Sequence, residues 1–309
     1  MTPSKTTSHG WLAFELNVLR RFEFVSAALP FTGEPHLGAY LKRRNARVLA
    51  NDLTQSAFVK AVAAIQNNGE ILSDEEANIV LEDAYVPRYQ LQNPSLRNWF
   101  NETDSWWFDN VRQNIERLPS LFSRATAMAI AMQAGDYLLS FTEATRELRQ
   151  PLSKVFERLR SAFPAPVNNG QNNVCYNKSV IDFIAETRTD LMFLRLPRAH
   201  NLSLRNALGW TAWQEEWLQS GDAFWTDLER AQTGKLGAHV ETKYQYLRLV
   251  EDLLRTAAHI DKWAISHTED GFISTQELVE TVNRVRHVDT IFTKDFSELT
   301  GMRAVVITA

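Results

Sequence analysis

The sequence predicts an α/β protein, a parallel sheet covered by helices and interrupted by a helical insertion. Three observations lead there. Short apolar runs alternate with helical patterns over residues 24–66. Strand patterns then vanish over 73–163, and they return from residue 190 to the end. Strand–helix–strand alternation is the mark of a parallel sheet with helices on its faces. Its division into two stretches means that both are needed to complete one core.

Residues 11–22 read as a helix, with Trp11, Phe14, Leu16, Val18, Leu19 and Phe22 apolar. Residues 24–31 are small and apolar and end near Pro30, as a buried strand does. A helix over 36–45, a strand over 47–50 and a helix over 54–66 follow. Beyond them, Ser73 and Glu76 make a capping box, Pro87 and Pro94 punctuate, and 106–141 reads as two helices broken near Pro119. The Asn-Asn-Gly-Gln-Asn-Asn run at 168–173 is a loop that closes this stretch. Then come a helix over 179–186, an apolar strand over 190–194, a helix over 241–258 and a strand over 262–266. A capped helix over 274–286 and two closing strands over 287–296 and 302–308, expected to pair antiparallel, complete the chain. The expected partition is an α/β core from 24–66 and 174–309, with 67–173 as the insertion.

The chain has 309 residues, 44% hydrophobic and 23% charged, ample for a large core. Its net charge is −4, so any contact with DNA has to come from a local basic patch. Cys175 is the single cysteine, which rules out an internal disulfide and a multi-cysteine zinc site and fits a reducing compartment. Residues 1–10 are polar and lack the apolar stretch of a secretory signal, and the most apolar window, 121–141, carries Arg124, Gln133 and Asp136. The expectation is a soluble, cytoplasmic protein with no membrane span. Histidines 36, 200, 239, 259, 267 and 287 show no metal-ligand spacing, and no bound metal is expected.

The first stretch with chemical content is 29–52. A strand ends in Phe31-Thr32-Gly33-Glu34-Pro35, and the next strand ends in Asn51-Asp52. A glycine at a strand–helix turn lets backbone approach a ligand, and an acid about 20 residues on is placed to bind ribose hydroxyls. A turn glycine with an incidental aspartate is the structural alternative. Here the sequence resembles the Dam-like adenine-specific DNA methyltransferases. Their S-adenosylmethionine motif is Phe-x-Gly-x-Gly at the first turn, with an acid after the second strand. Phe31, Gly33 and Asp52 match. Pro35 replaces the second glycine and has no amide hydrogen to offer. The family's lysine- and glycine-containing motif is not evident before Phe24. The resemblance implies a Rossmann-like S-adenosylmethionine methyltransferase sheet, with Phe31, Gly33 and Asp52 as the remnant of a cofactor site.

The second stretch, 174–198, looks like the family's approach to its catalytic loop, where the strand normally ends in Asp-Pro-Pro-Tyr. The acid and a backbone carbonyl accept hydrogen bonds from the target amine, and the ring stacks on the flipped base. This chain reads Arg195-Leu196-Pro197-Arg198. An arginine only donates, so methyl transfer by the family mechanism is not expected. Arg198 offers at most weak guanidinium stacking in place of the ring.

The third stretch, 265–280, carries a calcium-loop pattern centred on Gly271, with Asp270, Ile273 and Glu277 in register. Its first and third ligand positions would be Ser266 and Thr268 instead of carboxylates, so calcium binding is not expected. Ser274 and Glu277 make a capping box, and Ser266-His267 stands where the family usually has a Ser-Tyr pair. Trp210, Trp213 and Trp217 recur at helical spacing and read as a packed face. Lys42, Arg43, Arg44 and Arg47 form a basic run. By default it is a solvated helix end, but with Arg195, Arg198 and Arg205 it could make a positive mouth that contacts DNA.

The resemblance spans residues 24–308 in the family's order, and helical 106–137 looks like its inserted target-recognition segment. Three functions follow. The first is a catalytically inactive relative that binds DNA or a partner protein. The second is an active adenine methyltransferase with a divergent loop, in which a residue such as Asn201 replaces Arg195. The third is an interaction protein with no nucleic-acid role. S-adenosylmethionine is a possible cofactor only if the altered first turn still admits it.

Overall fold

The structure is a computed structural model, and it describes residues 9–269, 271–297 and 302–309. Helix α1 (His9–Leu19) leads into β1 (Ser26–Leu29), α2 (His36–Arg43), β2 (Arg47–Asn51) and α3 (Gln55–Ala61). A π-helical turn, Val62–Gln66, extends α3. The insertion supplies α4 (Asp74–Leu81), α5 (Glu102–Ile115), α6 (Leu121–Leu139) and α7 (Leu152–Ala162). Then follow β3 (Val174–Tyr176), α8 (Val180–Glu186) and β4 (Leu191–Arg195). Short helices α9 (Leu204–Leu208), α10 (Ala212–Leu218) and α11 (Trp225–Gln232) precede α12 (Lys243–Thr256). The chain closes with β5 (Lys262–Glu269), α13 (Thr275–Asn283), β6 (Thr290–Asp295) and β7 (Arg303–Thr308).

These strands form one seven-stranded sheet in the order β3-β2-β1-β4-β5-β7-β6. The first five run parallel, and β7 is antiparallel to both β5 and β6. The expected α/β sheet with a helical insertion is therefore the observed fold, including the antiparallel closing pair. Strands β1, β2 and β4 are buried along nearly their whole length because helices cover both faces. One core cluster joins Ala27, Leu29, Val48 and Ala50 of the sheet to Trp107, Phe108 and Ile130 of the insertion. The other joins Ala28, Met192, Leu194 and Ile265 to Val250, Leu254 and Leu278 of α12 and α13. The insertion thus shares its core with one face of the sheet.

Both ends of the insertion are tied to the carboxyl end of α2. Buried Lys42 donates from Nζ to the Asn67 carbonyl oxygen (2.5 Å), and Asn169 Nδ2 donates to the Ala46 carbonyl oxygen (2.9 Å). Asn173 Oδ1 accepts from Val48 N (2.9 Å). The asparagine run read as a loop is a set of clips.

Strand β3 was not among the expected strands. It has three residues, paired to β2 through Leu49↔Val174, Ala50↔Cys175 and Asn51↔Tyr176, too few to show a period of two. Strand β5 runs to Glu269, longer than expected, because β7 pairs with it as far as Arg303. That places Ser266 and Thr268 of the calcium-loop pattern inside a strand, while Asp270 lies outside the described residues. Both capping boxes form, Ser73 with Glu76 and Ser274 with Glu277. Trp213 and Trp217 are fully buried against Phe108, ring centroids 5.2 and 6.2 Å away, as the packed-face reading has it. Trp210 sits in a 3-10 turn and is only partly buried. Gly135 of α6 is required there, since a Cβ would come within 2.2 Å of the Trp213 ring. Among the described residues no helix is long and apolar enough to cross a membrane, and no three His, Cys, Asp or Glu gather to hold a metal ion.

Candidate functional site at the carboxyl ends of the strands

Strand order reverses between β1 and β4. In a parallel sheet the loops leaving two such strands diverge and leave a crevice, where ligands of α/β proteins bind. The loop after β1 holds Phe31 and Gly33. Gly33 has φ +53°, a left-handed conformation that costs glycine little. Its amide donates to Asp52 Oδ2 (2.8 Å), and Asp52 Oδ1 accepts from Thr54 N (3.0 Å) and Thr54 Oγ1 (2.7 Å). The turn after β1 is thereby clipped to the end of β2. Burial raises the Asp52 carboxyl above the usual range, partly offset by the Gly33 and Thr54 bonds.

Helix α3 begins beside this clip, and its N-cap Thr54 makes no side-chain cap bond. Glu215 of α10, 1% exposed, does the capping instead. Its carboxylate accepts from Gln55 N (2.9 Å) and Ser56 N (2.6 Å). Burial raises this carboxyl too, and the nearby Asp52 charge adds to the shift. Residues from beyond β4 thus close over the end of β2.

At the end of β4 the tetrapeptide is wholly engaged. The Arg195 guanidinium binds Glu15 of α1 through two bonds, Nε to Oε1 (3.1 Å) and Nη2 to Oε2 (2.5 Å). Glu15 is 0% exposed and also accepts from Trp11 Nε1 (3.1 Å) and Ser266 Oγ (2.7 Å). A carboxylate can be buried when a bidentate partner and further donors replace its water. Leu196 is buried, and its amide donates to the Ser266 carbonyl oxygen (2.9 Å). The Pro197 carbonyl oxygen accepts from Tyr246 Oη (2.7 Å). Arg198 is exposed, with Nη2 3.1 Å from Met302 Sδ. The space left among Leu196, Pro197, Tyr246, His267 and Phe272 is about 10 Å³, room for one water molecule at most.

The chain itself lies across the crevice. The segment after α11 crosses it: a Cβ on Gly237 would lie 3.7 Å from Pro197 Cγ and 3.8 Å from Phe31 Cε1. His200 fixes this crossing, since its ring Nε2 is hydrogen-bonded to the Gly237 carbonyl oxygen (3.2 Å) and its own carbonyl oxygen accepts from Val240 N (2.9 Å). Leu236 and Val240, each 3% exposed, anchor the segment in the core.

The structure brings Phe31, Gly33, Asp52, Leu196 and Pro197 to one place, and it corrects the expected basic mouth. Arg47 begins β2 opposite Ser26, so Arg43, Arg44 and Arg47 lie at the amino ends of the strands. Arg195 and Arg198 lie at the carboxyl ends, about 15 Å away along a five-residue strand. Lys42 is removed from the surface altogether at 1% exposure, where burial lowers it to about 8. Arg205 is ion-paired with buried Glu216 (2.6 Å). Asn201 is exposed, six positions beyond the end of β4.

Three residues that shape this site were not singled out from sequence: Glu15, Glu215 and Gly237. The signal for the first was a glutamate flanked by Phe14 and Leu16 on an apolar helix, which demands a partner. An arginine ending an otherwise apolar strand demands one too.

The arrangement does not suit S-adenosylmethionine as it stands. The Gly33 amide and both Asp52 oxygens are bonded to one another or to Thr54, and the Gly237 segment lies against Phe31. A ribose at Asp52 would have to displace these contacts.

No family model matches the chain. It is similar to the type II methyltransferase M2.HphI of Haemophilus parahaemolyticus, 23% identical over 300 residues that cover 88% of this chain and 84% of that protein.

Proposed function

We propose that the chain is a catalytically inactive relative of the adenine-specific DNA methyltransferases, a cytoplasmic subunit that binds DNA or a partner protein without transferring a methyl group. The likeness to a type II methyltransferase over most of its length supports the family part of the reading. The observation that carries the inactive part is the Arg195–Glu15 pair at the end of β4. A target amine needs acceptors at that point, and a guanidinium has only donors to give. Two bonds to a buried carboxylate keep Arg195 from swinging away. The neighbouring backbone acceptor, the Pro197 carbonyl oxygen, is already used by Tyr246. Arg198 stands where a ring would stack on the base.

The test is a methyl-transfer assay with radiolabelled S-adenosylmethionine and unmethylated duplex DNA, beside a calorimetric titration of the cofactor. The expected result is no label in DNA and no saturable cofactor binding. Methylation that persists in Arg195→Ala would overturn the reading in favour of an active enzyme with another acceptor.

A further inference from the structure

The amino ends of the parallel strands gather cations without the ion pairs found at the crevice. Along the sheet the entrances to β2, β1, β4 and β5 are linked in a row. Arg47 N donates to the Val25 carbonyl oxygen (2.8 Å), Val25 N to Asp190 Oδ2 (2.8 Å), and Lys262 N to the Asp190 carbonyl oxygen (3.1 Å). Three strand spacings make this row roughly 15 Å long. Arg43, Arg44 and Arg47 stand at its β2 end, Arg188 before β4 and Lys262 at the start of β5. Arg20 and Arg21 at the end of α1 approach it from one side and Arg286 from the other.

The direct hydrogen-bond and ring partners of these cations are neutral. Arg188 Nη1 donates to the Ala185 (3.0 Å) and Thr187 (2.9 Å) carbonyl oxygens, and Lys262 Nζ donates to the Glu23 carbonyl oxygen. Arg286 donates to the Ile260 (2.8 Å) and Ala258 (2.9 Å) carbonyl oxygens and lies 3.9 Å from the Trp263 ring centroid. Arg20 Nη2 donates to Tyr40 Oη (2.9 Å), and Arg21 lies 4.8 Å from the Phe292 ring centroid. Among the described residues none of these eight cations makes an ion pair. Carboxylates on the same face include Glu23, Asp190, Asp261 and Asp289. Asp261 and Asp289 act on Arg286 through their charge, and Asp190, which accepts from the Val25 and Ser26 amides, feels the Lys262 charge. A carbonyl positions a guanidinium without neutralising it, so the face keeps its positive field in a chain of net charge −4.

We propose that this amino-end face docks the phosphate backbone of duplex DNA, without base readout, on the side of the sheet away from the crevice. Over roughly 15 Å of axis a duplex presents about nine phosphate charges, and eight cations against these carboxylates leave the face net positive toward them. Seven of the eight are arginines, which suit bidentate contact with phosphate. An acidic protein surface fits less well. Protein interfaces centre on aromatic and apolar anchors, and among the described residues Val25 is the exposed large apolar side chain at the entrances of β1, β2, β4 and β5. A duplex held here is a strand's length from the carboxyl end of β4, too far to present a base to the crevice. The inference is therefore independent of whether the crevice has catalytic activity, and the methyl-transfer assay does not bear on it.

The test is fluorescence anisotropy of a short labelled duplex with the full chain at about 50 and about 200 mM salt. The expected result is binding by the unaltered protein that weakens steeply with salt. Combining Arg43→Gln, Arg44→Gln and Arg188→Gln should weaken binding about ten-fold or more and make the log–log salt slope shallower by about 3. Arg20→Gln with Arg21→Gln should act in the same direction, and Arg198→Gln at the other end should change neither value, with unchanged melting temperatures reporting intact folding. Absence of salt-dependent binding by the unaltered protein, or a triple variant that binds as it does, would overturn the proposal. So would a loss caused by Arg198→Gln alone, or displacement of the duplex by polyglutamate as readily as by unlabelled duplex.

Discussion

The two ends of the five parallel strands treat charge in opposite ways. At the carboxyl ends four cations have found carboxylates, Arg195 with Glu15, Arg205 with Glu216, Lys60 with Glu34 and Lys243 with Glu277, while exposed Arg198 rests on Met302. The acids there are bonded inward, to backbone amides in the cases of Asp52 and Glu215. At the amino ends the arginines lean on carbonyl oxygens and ring faces and keep their charge. A ligand crevice needs groups left free for the ligand, and by that measure the carboxyl end is closed and the amino end is open. The difference teaches that position in a fold does not decide which surface is in use. The state of its polar groups does.

The contrast can be broken most severely at Arg195. Replacing it by methionine leaves the Glu15 carboxylate buried with only Trp11 and Ser266 to bond it, and losing one partner of a buried pair costs about 3–5 kcal/mol. Urea unfolding should register that loss, and adding Glu15→Gln to Arg195→Met should recover much of it. Full stability in the single variant would mean that the pair does not hold the loop shut. A smaller effect is expected at Gly135→Ala, which drives a methyl group into the Trp213 ring and should cost about 1–3 kcal/mol. Because α10 also carries Glu215, the same variant should speed proteolysis within residues 199–240 before the rest of the chain is cut.

Lys42 sharpens the contrast through pH. Its folded value of about 8 lies below the ordinary 10.5. Between those two values the unfolded chain still holds a proton that the folded chain has released, so stability should rise with pH through that window. Lys42→Met should abolish the rise, as read from urea midpoints at about pH 8 and about pH 10. An unchanged slope would place Lys42 in water. The smallest effect is expected at Gly237→Ala. With φ +95° at that position, an alanine costs about 1–2 kcal/mol in backbone strain, visible as a modest drop in melting temperature.

Much of the fold was legible because its strands are long enough and apolar enough to declare themselves. The all-apolar run of Leu191–Leu194 and the alternation over 24–66 set the parallel sheet, and capping boxes at Ser73 and Ser274 marked helix starts that the structure keeps. Strand β3 was illegible because three residues between asparagine-rich segments show no period. The site was legible only in its local half. Phe31, Gly33, Asp52 and the Arg195 tetrapeptide stand where strand ends put them. Their partners come from 180 residues away in the case of Glu15 and Arg195, and nothing in local spacing encodes such a meeting. The basic run misled for a related reason. Its residues are adjacent in sequence, but an eight-residue helix carries them from one end of the sheet to the other.

The asparagine clips at the root of the insertion bear on the order in which the chain folds. Strands β2 and β3 are neighbours in space, with Leu49 opposite Val174, yet the whole helical insertion lies between them in sequence. Closing so long a loop is entropically costly until the intervening chain has collapsed and brought its ends together. The bonds from Asn169 and Asn173 to the end of α2 and the start of β2 can form only then. The sheet would therefore acquire its β3 edge late, after the insertion has packed, and that edge would exchange its amide hydrogens before central β1 and β4 do.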